Sequence, residues 1–279
     1  MKLGIILVLK SGINVNDEFK KLHQNGFETC QLICWDNTML TDKIAENVNL
    51  AVLEYEITIT AVWAGWQAPA VWDFFDGQLT LGLVPEAYRF ARAERVLEGA
   101  SFAKKINVTD VITHVGFIPE NPYDPNYHGV ISTLRHICKV LKSSEQYFLF
   151  ETGQETPITL LRAIEDIGAD NIGVNLDPAN LLLYGKANPV DAVGILGKYI
   201  RGVHAKDGEY PTNGKFLGKE KSIGQGRVNF PAFIEELHKA HYKGALTIEN
   251  ELQDDVNLAE TILASKYFIE KLILDICDK

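Results

Sequence analysis

Four side chains that can bind a metal ion or move a proton stand at the ends of four successive short apolar segments. They are Glu151 in FLFETGQE, Asp177 in GVNLDPANLL, His204 in GVHAKDG and Glu249 in LTIENE. Burying any of them unpaired is costly. Each alone has an ordinary explanation: Asp177 stands before Pro178, where a carboxylate caps a helix, and a lone strand histidine is usually a hydrogen-bonded core residue. Together they call for a cation, because three converging carboxylates repel one another. Two or three oxygens and one imidazole suit a divalent ion of borderline or hard character, Mn²⁺ best, with Mg²⁺, Co²⁺ and Zn²⁺ also compatible.

Convergence requires elements that aim these residues at one place. Eight short apolar or β-branched segments alternate with stretches of helical period: KLGIILVL, TCQLICW, ITITAVWA, DVITHVG, YFLFET, NIGVNLD, IRGVHAK and GALTIEN. Eight strand–helix units in 279 residues predict an α/β fold, a (β/α)8 TIM barrel. Successive strand residues point to opposite sides. With Phe148 and Phe150 facing the helices, Tyr147, Leu149 and Glu151 point to the axis, and the same parity turns Gly173, Asn175 and Asp177 inward. It does so again for Gly202, His204 and Lys206, and for Ala245, Thr247 and Glu249. The four candidate ligands therefore share the inner face at one rim. No Pro/Gly/Ser linker divides the chain, so residues 1–279 are expected to form one domain. Three long connections, 64–84, 116–128 and 207–228, leave the ends of strands where barrel enzymes build their sites.

A hydrophobic content of 46% supports a large core, and a formal net charge of −10 opposes attraction to a phosphate backbone, so no nucleic-acid partner is expected. Cys30, Cys34, Cys138 and Cys277 form no C-x-x-C pair and read as reduced, mostly buried thiols. Lys10 interrupts the opening apolar run, no small-x-small cleavage site follows, and no stretch is long enough to span a bilayer. A soluble, cytoplasmic protein without a membrane partner is the expectation.

On Glu151, Asp177, His204, Glu249 and the segment GQGRVNF at 224–230, the sequence resembles the xylose isomerase-like TIM-barrel family of sugar isomerases and epimerases, which also contains abasic-site endonucleases and some dehydratases. The resemblance implies that these four residues hold the metal, and that Glu151 and Glu249 double as acid and base on opposite faces of a sugar. It also implies a small sugar or sugar derivative as partner, and a homo-oligomer, since dimers and tetramers are common. Two positions depart from the ketose 3-epimerase branch. Asn180 stands where that branch has a substrate-binding histidine three residues after the metal aspartate, and Tyr210 where it has an arginine six residues after the metal histidine.

The chemistry implied is removal of a proton beside a carbonyl, with the developing enediolate charge stabilised by the cation. Return of the proton to the same carbon epimerises, and return to its neighbour isomerises. Expulsion of a hydroxyl would make the same site a dehydratase, and a non-catalytic sugar-binding barrel would need no turnover at all. Around the ligands, His114 is a candidate for a sugar hydroxyl or a ligand carboxylate, Lys206 for oxyanion charge and Glu155 for orienting a ligand or the substrate. Trp66, with Trp72, Phe74 and Phe75 in the same loop, is a candidate for the C–H face of a sugar, and Arg227 for an anionic group. Their plain alternatives are a hydrogen bond, a salt bridge, a helix N-terminal carboxylate, a self-anchored loop and a surface arginine. The lone G-x-G of GQGRV carries no nucleotide-binding fingerprint.

Overall fold

The computed structural model describes residues 1–67, 69–252 and 257–277; the side chain of Cys277 lies outside the described residues. Each of the eight apolar segments forms a parallel strand: β1 Lys2–Leu9, β2 Thr29–Cys34, β3 Thr58–Ala64, β4 Asp110–Thr113, β5 Tyr147–Glu151, β6 Ile172–Leu176, β7 Ile200–Ala205 and, after a short antiparallel ribbon of β8 Asp207–Gly208 and β9 Glu220–Lys221, β10 Ala245–Ile248. They close into a barrel in chain order, with β10 returning to β1 in the register Lys2↔Ala245 to Ile5↔Ile248.

The helices are α1 Val15–Gln24, α2 Asp42–Tyr55, α3 Gly77–Thr80, α4 Glu86–Lys105, α5 Pro125–Lys142, α6 Pro157–Ile167, α7 Pro178–Leu183, α8 Pro189–Leu196, α9 Phe230–Lys239 and α10 Leu258–Cys277. Their starts follow local chemistry. Asn14, Thr41, Asp124, Thr156 and Asn229 each accept a first-turn N–H with the side chain, and Pro125, Pro157, Pro178 and Pro189 supply a preset φ at the first helical position. Helix α2 is less sharply amphipathic than α1, with Leu50 and Leu53 exposed.

Strand parity divides the core in two. Phe148, Phe150, Val174, Leu176, Val203, Ala205, Leu246 and Ile248 pack between strands and helices, whereas Ile33, Ala61, Trp63, Ile112 and Leu149, with Tyr147, fill the barrel. At the strand starts Arg201 seals the axis: its guanidinium pairs with both Asp110 oxygens at 2.9 and 3.1 Å and lies 3.6 Å from the Tyr147 ring centroid. That end is closed by charge and packing, which leaves the strand ends as the open face. No described helix is long and apolar enough to cross a membrane. Cys30, Cys34 and Cys138 are buried and unbridged, and burial pushes each thiol up to about 12.

Candidate metal centre and active site

Glu151 is the last residue of β5, Asp177 follows β6, His204 lies in β7 and Glu249 follows β10. The ladder continues past β10, where the Glu249 N–H donates to Ala205 O at 3.1 Å, and this sets Glu249 beside His204. All four side chains are buried, and one ligand atom from each lies within 4.8 Å of the others. His204 Nδ1 is 3.1 Å from Glu249 Oε2, 3.3 Å from Glu151 Oε1 and 3.4 Å from Asp177 Oδ2.

Proximity does not satisfy these atoms. His204 Nδ1 and Asp177 Oδ2 are fully buried and neither has a hydrogen-bond partner. Asp177 does two jobs, as its place before Pro178 suggests. Its Oδ1 accepts the Asn180 N–H at 2.8 Å and caps α7, which leaves Oδ2 for the cluster. Thr152 Oγ1 fixes the aspartate backbone by accepting its N–H at 2.8 Å and donating to its carbonyl at 3.0 Å. Buried, unpaired oxygen and nitrogen atoms converging on one point fit a divalent cation, and this donor set can hold one.

The field at the centre favours positive charge. Full burial opposes a charged imidazole, yet the carboxylates of Glu249 and Glu151 hold His204 well above the ordinary histidine range. Burial likewise opposes ionisation of Glu249, but Lys206 and then His204 keep it well below the usual carboxylate range. His114 and His204 outweigh burial at Glu151 and lower it, whereas at Asp177 burial prevails and raises it.

Glu151 and Glu249 reach the surface of a cavity of about 350 Å³ at the open end of the barrel; Asp177 and His204 lie beneath it. One wall carries Ile33, Trp35, Trp63 and Trp72, and the other carries Gln154, Asn180, Leu183, Tyr184 and Lys206, with Glu220 and Glu251. Trp63 Nε1 donates to Glu151 Oε2, and Asn180 Nδ2 to Glu151 Oε1 at 3.4 Å. His114 Nε2 stands 3.5 Å from the same Oε1. Lys206 Nζ contacts Glu249 Oε2 at 3.2 Å and also pairs with Glu251 Oε2. Burial pushes Glu220 up to about 7, against the pull of Lys206.

The other sequence candidates divide. His114, Asn180, Lys206 and Trp72 line the cavity. Trp66 does not: it is buried behind the wall, with Trp35 at a ring-centroid distance of 5.2 Å, Trp63 at 5.7 Å and the Arg92 guanidinium at 5.3 Å. Phe74 packs edge-on to Tyr184 at 6.4 Å, and Phe75 is exposed. Glu155 is buried outside the lining, and its neighbour Gln154 occupies the wall. Arg227 is exposed and away from the lining; what GQGRV contributes is backbone, since the N–H groups of Gly224, Gly226 and Val228 all bind Asp207. Tyr210 is exposed and donates to Ala187 O at 3.0 Å, outside the cavity.

Sequence reasoning passed over Gln31, Trp35, Trp63, Gln154, Tyr184, Glu220 and Glu251. Parity could have found two of them, because Gln31 and Trp63 are inward residues of β2 and β3. Gln31 Oε1 lies 2.8 Å from His204 Nε2, while its amide nitrogen donates to Asn175 Oδ1 at 3.1 Å. Gly202 makes that crossing of the barrel feasible, for a Cβ there would sit 2.3 Å from Asn175 Oδ1.

Comparison with known proteins agrees with this architecture. An uncharacterized protein of Methanocaldococcus jannaschii is 25% identical over 278 residues, covering 94% of this chain and 88% of its own. The crystal structure of a xylose isomerase domain protein from Planctomyces limnophilus superposes with a TM-score of 0.92 at 28% identity, covering 100% of this chain and 99% of that one. A D-tagatose 3-epimerase-like protein gives 0.76 at 23% identity, with the same coverage. Sugar epimerases and a probable dehydratase share the fold at lower identity. The sequence pattern of the xylose isomerase-like TIM barrel matches residues 19–270, and the chain belongs to that family.

Proposed function

We propose that this chain is a divalent-metal-dependent isomerase or epimerase of a sugar or sugar derivative, one barrel domain in which Glu151 and Glu249 move the proton. The observation that carries this reading is the pair of buried, unpartnered atoms, His204 Nδ1 and Asp177 Oδ2, in a four-residue cluster whose other two members open on the cavity. Glu151, Asp177, His204 and Glu249 would hold the ion, Mn²⁺ in the first instance. When bound, the ion supplies Lewis-acid polarisation of a carbonyl beside the exchanging carbon.

The chain's own groups do the rest. His204 and Asp177, fully enclosed, anchor the centre and never meet substrate. Glu151 and Glu249 face the cavity as carboxylates, each ready to accept a proton. Trp63 and Asn180 fix Glu151 by donating to its two oxygens, and Lys206 fixes Glu249. Trp35, Trp63 and Trp72 offer faces for C–H groups and exclude water. His114, beside Glu151, is placed to bind a hydroxyl.

The test is incubation of the Mn²⁺-loaded protein with keto-sugars in D₂O. Solvent deuterium should appear at one carbon of an isomeric product, and Glu151→Gln and Glu249→Gln should each lower turnover by about 10²- to 10⁴-fold. Loss of water would identify a dehydratase using the same carboxylates. Absence of exchange with every sugar tried, or full turnover by Glu249→Gln, would overturn the reading.

A further inference from the structure

In the cavity, the charged groups are already paired and the unpaired groups are neutral. Lys206 is the one lysine in the lining, and among the described residues no arginine joins it. Its ammonium is enclosed by three carboxylates, Glu251 in direct contact, Glu249 at 3.2 Å and Glu220 at 3.8 Å. A divalent ion would still leave its three carboxylate ligands one negative charge in excess, and Lys206 is already met by Glu220 and Glu251. The first turn of α7 offers no anion site either, since Asp177 Oδ1 takes the Asn180 N–H.

Three buried side chains in the lining, by contrast, have unused hydrogen-bonding capacity. Both ends of the Gln154 amide, Tyr184 Oη and His114 Nδ1 lack partners. Gln154 and Tyr184 adjoin one another, but no hydrogen bond of acceptable geometry joins them. An amide and a phenol each donate and accept, which matches sugar hydroxyls. A phosphate offers acceptors and needs charged donors.

We infer that Glu220 and Glu251 are specificity-determining residues that commit Lys206 and so restrict the cavity to uncharged sugars, excluding phosphorylated and carboxylated ones. The inference rests on the reading of the site as one for sugars and names the substrate class within it. Like-charge juxtaposition gives the discrimination, and the aromatic wall gives the affinity.

All four tryptophans of the chain, Trp35, Trp63, Trp66 and Trp72, form or back the aromatic wall, so intrinsic fluorescence reports on the cavity independently of turnover. The experiment titrates the Mg²⁺-loaded protein, at fixed free Mg²⁺, with D-fructose and D-fructose 6-phosphate, then with D-xylulose and D-xylulose 5-phosphate. Each neutral sugar should bind at least about tenfold more tightly than its ester. Glu251→Lys, at a solvent-exposed side chain, should close that gap by about tenfold or more through the ester alone, and Glu220→Gln should close it in part. Equal or tighter binding of the esters by the unaltered protein, an unchanged gap in Glu251→Lys, or no binding of any neutral sugar would overturn the inference. Binding of neutral sugars without conversion would refute the proposed reaction and leave the charge selectivity standing; turnover of the esters would do the reverse.

Discussion

Gln31 Oε1 and His204 Nε2, from strands three apart around the barrel, meet at 2.8 Å. An amide oxygen can only accept, so Nε2 carries the hydrogen, and Nδ1 is the nitrogen left to offer a lone pair to a cation once the ring is neutral. Gln31 is thus a positioning residue that sets the tautomer a metal ligand needs. Gln31→Leu removes the acceptor and should weaken Mn²⁺ binding by about 10- to 100-fold, measured calorimetrically on protein whose circular dichroism is unchanged. Unaltered affinity would show that something else orients the imidazole.

Asp207 organises the loop that follows β7. Its Oδ1 accepts N–H groups from Gly208 at 2.8 Å and Val228 at 3.0 Å, and its Oδ2 accepts those of Gly224 and Gly226, each at 2.9 Å. Gly226 has to lack a side chain, because a Cβ there would stand 2.2 Å from Asp207 Oδ1. Asp207→Ala leaves four donors without partners and should destabilise the fold by about 3 kcal/mol or more. Gly226→Ala should destabilise it too, by overpacking. Denaturant midpoints check both, and an Asp207→Ala midpoint within error of the parent would show that the loop holds itself.

How much of this was legible in the sequence differs between backbone and side chain. Alternation over β5, β6, β7 and β10 placed Glu151, Asp177, His204 and Glu249 on the inner face, because period-two parity depends on neighbouring residues only. The second ring of groups came from elsewhere in the chain: Gln31 acts on His204 across 173 positions, and Trp63 on Glu151 across 88. No local pattern encodes such pairings, although a polar or large aromatic residue at an inward strand position is a usable hint. Loop residues were the hardest to read. Trp66 and Arg227 have the right chemistry for a sugar site, but one is buried behind the wall and the other faces solvent, while GQGRV holds an aspartate rather than a ligand.

Glu155 should make stability fall as pH rises. Burial pushes its carboxyl up to about 8, although its own N–H, Lys186 and the Gly153 N–H pull the other way. The folded protein therefore keeps a proton that the unfolded chain loses near 4.5, so the native state is most favoured below that value and loses stability between about 4.5 and 8. Glu155→Gln removes the titration while keeping an acceptor. Relative to the parent it should gain on the order of a few kcal/mol on going from pH 5 to pH 8. Parallel denaturation curves at the two pH values would test this, and an equal pH dependence in both proteins would rule Glu155 out as its source.

Arg92 in α4 holds the loop that carries Trp72. Its Nη1 donates to Thr80 O at 2.6 Å and Gly82 O at 2.7 Å, its Nη2 to Pro69 O at 2.7 Å, and the guanidinium lies against the Tyr88 and Trp66 rings at 4.7 and 5.3 Å. Among the described residues it has no carboxylate partner, so three backbone carbonyls replace its hydration shell and fasten both ends of the loop to the barrel. A planar fork can reach all three at once; an ammonium cannot. Arg92→Met should therefore cost about 3 kcal/mol and make residues 69–82 the first site of limited proteolysis, mapped by mass spectrometry. Arg92→Lys should restore part of the stability and little of the protection. If both variants are cut first elsewhere, the loop owes its position to Trp66 and its neighbours and not to the arginine, since ring packing would then be enough to hold Trp72 over the cavity.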